Sequence, residues 1–240
     1  MRPGHHRRAT GNRFVDALPD DVSAAITRAG DFRVLAEGTR IAQRDEPVAE
    51  VIFPVSGAIA HVEEHRDGRS IEVAAIGPAG VSAFEALLDQ PRAQFSAVVS
   101  VPASVFAIDV RKLLPIHAGS AHFGRLLRRY AVASIRLAGI TAACERHDHL
   151  TARLARWLLA LHDHAGTAEL AVTHERAARM LAVRRPGVTR AAAEIASTGA
   201  VRWDRGRLQV VDAARLEVSA CGCYAEAQDV LDDVYRLKDV

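Results

Sequence analysis

The chain has 240 residues, of which 49% are hydrophobic and 25% charged, with a formal net charge of +2. That length can hold two modest domains with cores of their own, and the composition is that of a globular protein rather than a disordered or fibrous one. No apolar run approaches the 18 or so residues of a membrane span, no apolar stretch follows the basic start MRPGHHRRATGNRF as a secretory signal requires, and three cysteines do not make a disulfide framework, so a reduced, cytoplasmic chain is expected.

The small net charge hides an asymmetry. Residues 31–110 carry 6 basic and 12 acidic side chains, whereas residues 111–149 carry 7 and 2 and residues 150–212 carry 10 and 6. A basic region joined to an acidic one suits local contact with a polyanion, with the remainder held away from it.

Residues 1–30 begin as a polar, basic arm, after which Val15, Leu18, Val22 and Ile26 predict a short amphipathic helix with Pro19 in its first turn. From Phe32 to about Ile108 the signals are for strands. Val51, Phe53 and Val55 alternate, as do Ile71 and Val73, and then Phe95, Ala97, Val99 and Val101; Asp67-Gly68 marks a hairpin between two such runs. Glycines and prolines punctuate the segment at short intervals, as in a jelly-roll-like β-barrel.

Residues 111–146 read as one long helix in which Leu126, Tyr130, Ala133, Leu137, Ile140 and Cys144 are spaced 4, 3, 4, 3, 4. Such a heptad seam suits a parallel contact between two subunits; the plainer alternative is that it packs on its own barrel. A further helix follows from Thr151 to about His162, with Leu154, Trp157, Leu158 and Leu161 inward.

The most informative stretch comes next. Thr173 can cap a helix carrying Ala177, Met180 and Leu181. After a break at Ala182-Val183, a second helix begins at Arg184 or Arg185, because Pro186 fits only a first turn. Val188, Ala191, Ala192 and Ile195 form its inner side and Gly199 stops it. Val201-Arg202-Trp203, the turn Asp204-Arg205-Gly206-Arg207 and Leu208-Gln209-Val210-Val211 then read as a hairpin. A helix-turn-helix followed by a hairpin is a winged helix. Between Arg184 and Arg207 six arginines (Arg184, Arg185, Arg190, Arg202, Arg205, Arg207) face two acids, Glu194 and Asp204, which points to DNA. Arg185 and Arg190 stand where a recognition helix over about 184–196 presents side chains to base edges, and an arginine fork bonds guanine O6 and N7 together.

THERAARMLAVRRPGVTRAAAEI with GAVRWDRGRLQVVD resembles the C-terminal domain of the Crp/Fnr superfamily of bacterial transcription regulators, and IFPVSGAIAHVEEHRDGRSIEVAAIGPAG resembles that superfamily's N-terminal β-roll. The resemblance runs from about Phe32 to about Tyr224. It implies an α+β chain divided into an N-terminal arm and short helix (1–30), a cyclic-nucleotide-binding-like β-roll (31–115), a dimerisation helix (116–149) and a winged helix-turn-helix with a helical tail (150–240). It implies a homodimer reading a pseudo-palindromic operator in double-stranded DNA, with RNA polymerase as partner if the protein activates. Thr173, Arg184 and Thr189 join the arginines of the second helix and wing as DNA-binding candidates. Family members that bind a cyclic nucleotide use a Gly-Glu segment for the ribose and an Arg followed by Ser or Thr for the phosphate. In GPAGVSAFEALLDQPRAQFSAVV only Glu85 and Arg92 stand for these; Phe84 and Ala93 depart from the pattern. A second reading makes Phe84, Leu87 and Leu88 one apolar face of a short helix, and the pocket vestigial or open to another small effector.

Metal chemistry finds little support in the linear sequence. His61 and His65 flank Glu63-Glu64 without the spacing of a cupin site and read as surface histidines. His147-Asp148-His149 and His162-Asp163-His164 each end a helix, but residues two apart point in different directions, and histidine at a helix C-terminus has an electrostatic reason to be there. Cys221 and Cys223 read as structural or incidental, and no cysteine precedes Cys144 to hold an iron–sulfur cluster. No catalytic residue and no metal ligand are assigned. The expected function is sequence-specific transcription regulation; the rival is a small-molecule-binding or metal-dependent barrel protein whose winged helix mediates only protein contacts, a role that does not call for six exposed arginines.

Overall fold

The computed structural model describes residues 10–67 and 70–236; residues 1–9 of the basic arm and Gly68 of the Asp67-Gly68 turn lie outside the described residues. The N-terminal segment forms two helices, α1 (Arg13–Asp16) and α2 (Asp20–Ala29), with Pro19 at the N-cap of α2. The four apolar positions Val15, Leu18, Val22 and Ile26 are all buried. Asn12 caps α1 by accepting from the Val15 N–H at 3.0 Å, and its amide donates to Pro54 O and Gly80 O at 2.8 and 2.9 Å, pinning the segment to the sheet behind it.

The strands follow as β1 (Asp31–Leu35), β2 (Arg40–Ala42), β3 (Glu50–Glu64), β4 (Ser70–Ile76) and, after a 3-10 turn over Phe84–Leu88, β5 (Ser96–Asp109). All pairings are antiparallel in the order β1-β5-β3-β4, with β2 also on β5. β3 and β4 pair from Ile59↔Ile76 to Glu64↔Ser70, on either side of the expected turn. The sheet is a jelly-roll-like roll and does not close into the expected barrel: β1 and β4 remain its two edges. Gly57 sits at φ +76 where the β3–β5 register shifts, and a Cβ there would run into the Pro102 carbonyl and Ala103, so only glycine fits.

The single helix expected over 111–146 is two: α3 (Val110–Ala118) and α4 (Ala121–His147). Gly119 ends the first, and the Ser120 hydroxyl accepts from Phe123 N–H at 3.2 Å to start the second. The six-residue stripe then turns inward. Leu126, Tyr130, Ala133, Ile140 and Cys144 are buried within the chain itself and Leu137 is half-buried. Tyr130 and Phe123 each meet Phe14 edge-on, and Phe84 meets Tyr130 at 5.2 Å. The exposed side of α4 is a different one, with Val132 67% and Ile135 75% accessible.

The remainder comprises α5 (Leu150–Ala165), β6 (Glu169–Ala171), α6 (His174–Met180), α7 (Arg185–Ser197), β7 (Val201–Asp204), β8 (Arg207–Val210), α8 (Ala213–Ser219) and α9 (Cys223–Tyr235). The helical tail thus consists of two helices joined at Ala220–Gly222. β6, β8 and β7 form a three-stranded sheet over a core that includes Leu154, Trp157, Leu158, Leu161, Leu181, Val188, Ile195 and Leu208. α9 runs back along α4: Arg136 pairs with Glu226, Arg129 donates to Asp233 O, and Val234 enters the same core as Leu126 and Tyr130. Near its end Tyr235 donates to Ala79 O, and Arg13 lies over the Tyr235 ring while bonding Asp232 at 2.7 Å. Among the described residues no helix is long and apolar enough to cross a membrane.

Candidate nucleic-acid interface

The local sequence explains how the two helices are set. Thr173 Oγ1 accepts from Arg176 N–H at 3.1 Å and so caps α6. The turn that follows places Ala182 in the left-handed region at φ +50, and Val183 N–H returns to Ala178 O at 2.9 Å. The freed carbonyl of Leu181 accepts from the buried Arg153 at 2.9 Å. Arg184 is the N-cap of α7, Pro186 stands in its first turn, and Val188, Ala191, Ala192 and Ile195 are its buried side. Beyond Gly199, at φ +76, Arg205 and Gly206 both take positive φ, as a two-residue type I′ hairpin turn demands.

The side chains assigned to DNA from the sequence, Thr173, Arg184, Arg185, Thr189, Arg190, Arg202, Arg205 and Arg207, are all exposed. Arg205 is 93% accessible at the tip of the wing, where its Nε lies 3.9 Å from Asp204. An exposed guanidinium is the form in which arginine can replace condensed counterions on a polyanion.

A residue that sequence reasoning did not single out joins these parts. His174, the first residue of α6, has Nδ1 3.1 Å from Thr189 Oγ1 on α7, and its ring meets Trp203 of β7 edge-on at 4.6 Å. Thr189 in turn donates to Arg185 O at 3.2 Å, and the Trp203 indole donates to Val172 O at 2.7 Å. One imidazole therefore ties both helices and the wing. Burial, and then the nearby Arg185 charge, hold its pKa below the usual histidine value. The signal was in the sequence as a histidine directly after the capping threonine, facing an aromatic in the wing.

The winged helix also touches the roll. Arg176 of α6 is buried and reaches Glu37 at 2.8 Å, Ala171 O at 2.8 Å and Ser100 O. Beside it, Trp157 donates to Glu72 of β4. A cleft of about 340 Å³ opens along this junction, its wall including Glu37, Arg40, Glu64, Arg176 and Arg179.

Neither effector candidate lines that cleft. Glu85 accepts from Gln94 N–H at 3.3 Å, while Arg92 is exposed and donates to Asp45 O at 2.6 Å. Each is engaged with backbone of a neighbouring loop. His61 is buried rather than on the surface: it lies parallel to Phe95 at 5.8 Å and 2.8 Å from Ser82 Oγ. Of the helix-ending triplets, Asp163 accepts from Tyr224 and Gln228, and His164 packs against Gly77.

Comparison with known proteins matches this division. A cyclic nucleotide-binding domain matches residues 32–119, and a Crp-like helix-turn-helix domain matches residues 152–218. The chain belongs to the Crp/Fnr family. It is a Crp/Fnr-type DNA-binding transcription regulator with a cyclic-nucleotide-binding-like domain. Among solved structures, FixK2 from Bradyrhizobium japonicum is similar at TM-score 0.67 and 19% identity, over 80% of this chain and 98% of that one. A CRP-family transcriptional regulator from Thermus thermophilus is similar at TM-score 0.64 and 25% identity, over 78% and 96%. The c-di-GMP-responsive regulator CLP of Xanthomonas campestris has TM-score 0.60 and 14% identity, over 80% and 99%. These structures share the fold with this chain. Among curated protein sequences none matches.

Proposed function

We propose that this Crp/Fnr protein acts as a homodimer that reads a pseudo-palindromic operator, with α7 in the major groove of each half-site. The observation that carries the reading is the set of exposed arginines on one winged helix: Arg185 and Arg190 near the start of α7, Arg184 at its cap and Arg202, Arg205 and Arg207 in the wing. Arg185 and Arg190 take base edges, and Arg184, Thr189, Thr173 and the wing arginines take phosphates. The tie through His174 supports this, since readers must be held still to discriminate.

The second copy docks along the outer face of α4. With Leu126, Tyr130, Ala133, Ile140 and Cys144 committed inside the chain, the open stripe is Val132, Ile135, Gly139 and Ala142, spaced 3, 4, 3. Gly139 has nothing within 4 Å of where a Cβ would stand, so a neighbouring backbone can come close. A two-fold contact uses the same patch twice, matching a two-fold DNA site.

The roll serves as the sensor of a small effector, a cyclic nucleotide or another molecule, and an activating member of this kind would touch RNA polymerase. The deciding experiment is an electrophoretic shift on DNA upstream of the protein's own gene, repeated across salt concentrations. Specific binding with a steep salt dependence supports the reading; binding to a partner protein with no salt-dependent DNA affinity overturns it in favour of a protein-contact module.

A further inference from the structure

All three cysteines of the chain meet at one place, although Cys144 lies 77 residues before Cys221. Cys144 projects from the last turns of α4, and Asp148 caps the same helix four residues on. Cys221 and Gly222 lie in the joint between α8 and α9, and Cys223 opens α9. The Cys144 and Cys221 sulfurs are 3.3 Å apart, Cys223 Sγ is 3.6 Å from Asp148 Oδ2, and the four donor atoms all lie within 4.8 Å of one another. Cys144 and Cys221 are buried, and Cys223 and Asp148 are half-buried.

We propose that Cys144, Cys221, Cys223 and Asp148 form a binding site for a thiophilic divalent metal ion of the zinc type. Three sulfurs and one carboxylate are a sufficient tetrahedral set for zinc. Zinc–sulfur bonds of about 2.3 Å set two thiolates on one tetrahedral centre about 3.8 Å apart, within the spread found here. A disulfide explains less: the 3.3 Å separation is well beyond a sulfur–sulfur bond of about 2.05 Å, and it would use two of the four donors while leaving Cys223 beside Asp148. The position also calls for a cation. Three thiolates and a carboxylate at the C-terminal end of a 27-residue helix face the negative end of its dipole. On binding, each thiol releases its proton to solvent, since the metal is held by thiolates and a carboxylate. With three thiolates and a carboxylate around a divalent ion, the centre is then net negative.

The four ligands come from the end of the long helix and from the joint that launches α9. A bound ion therefore fastens the last part of the winged-helix region to α4, and with it the helix that runs back to the roll. The site does not depend on which DNA is read, so it stands or falls apart from the operator reading.

The test uses the full-length chain purified under reductant, stripped with chelator and titrated with cobalt(II) as a spectroscopic stand-in for zinc. One equivalent per chain should produce a thiolate-to-cobalt charge-transfer band and tetrahedral visible bands, and zinc should displace them. Cys144→Ser, Cys221→Ser and Cys223→Ser should each weaken binding by at least about tenfold and lower the charge-transfer intensity, whereas Asp148→Asn should keep that intensity while weakening binding. Circular dichroism checks each variant's fold; if Cys144→Ser does not fold, the half-buried Cys223→Ser and Asp148→Asn carry the test. A folded, reduced parent that gives no thiolate band overturns the proposal. So does a band that survives loss of Cys221 and Cys223 together, or a Cys144–Cys221 disulfide chain that takes up no metal once reduced.

Discussion

The indole of Trp157 on α5 donates to the carboxylate of Glu72 on β4 at 3.2 Å, joining the DNA-binding part of the chain to the roll alongside the Arg176 contacts. The other carboxylate oxygen of Glu72 is sealed from solvent without a partner among the described residues. Burial pushes the Glu72 pKa up to about 7, against the smaller opposing pull of Trp157, Arg176 and Arg156. Because the folded value lies above the unfolded 4.5, the folded form holds the extra proton between them. Its contribution is complete below pH 4.5 and is lost as pH rises through about 7, on the order of 3 kcal/mol at most. Urea unfolding at pH 5 and pH 8 should show a smaller pH-dependent loss in Glu72→Gln than in the parent. Equal losses would place the titration elsewhere.

His61 works in the opposite sense. Its burial lowers the pKa from 6.5 to about 4, so its neutral form stabilises the fold above pH 6.5 and that contribution is lost as pH falls toward 4, again about 3 kcal/mol. The acid limb of the stability curve should be shallower in His61→Gln than in the parent, whatever the absolute stabilities of the two proteins. Superimposable limbs would mean that His61 charges without cost.

Replacing Arg185 or Arg190 by alanine should cost about 1–3 kcal/mol in operator affinity and relax preference at one base pair. Competition binding with every single-base variant of the operator measures both effects. Unchanged affinity in both variants would remove α7 from the groove.

Wing substitutions should behave differently. Arg205→Ala or Arg207→Ala should weaken all sequences alike and flatten the log K against log salt line by about one unit. A shift in sequence preference at constant slope would instead make the wing a reader.

Ile135→Glu introduces a charge at an exposed position of α4 and should leave the fold intact, yet place two like charges across the two-fold axis at a cost of several kcal/mol. Sedimentation should then find a monomer, and footprinting should lose the protected two-fold site. A dimeric Ile135→Glu protein would put the subunit contact on another surface.

The winged helix was legible because several local signals agreed there: the Thr173 cap, Pro186 in a first turn, the inward spacing of Val188, Ala191, Ala192 and Ile195, and Gly206 in the hairpin turn. What stayed hidden depended on which surfaces meet in space. Heptad spacing says that Leu126 and Tyr130 share a face, but not that Phe14 and the returning α9 would occupy it. Gly119-Ser120 was readable as a stop and a cap, and the apolar stripe that begins at Leu126 drew the reading of one continuous helix past it. His61 gave no hint of burial, because its covering partners Phe95 and Ser82 come from other segments. Asp148 was set aside with its histidine neighbours because residues two apart on a helix diverge; its partner Cys223 lies 75 residues further on.

The chain's two tryptophans stand at two different joints. Trp157 is almost fully enclosed against Glu72 at the roll, and Trp203 is half-buried in the wing with the His174 ring edge-on to it. Fluorescence can therefore watch the two ends of the molecule separately without any added label. In a Trp157→Phe protein all indole emission comes from the wing, beside the surface offered to DNA. In a Trp203→Phe protein it comes from the contact through which the roll and the winged helix touch. Mixing each with an operator or a small molecule in a stopped-flow instrument would time which joint responds first, and so in which direction a signal travels through the chain.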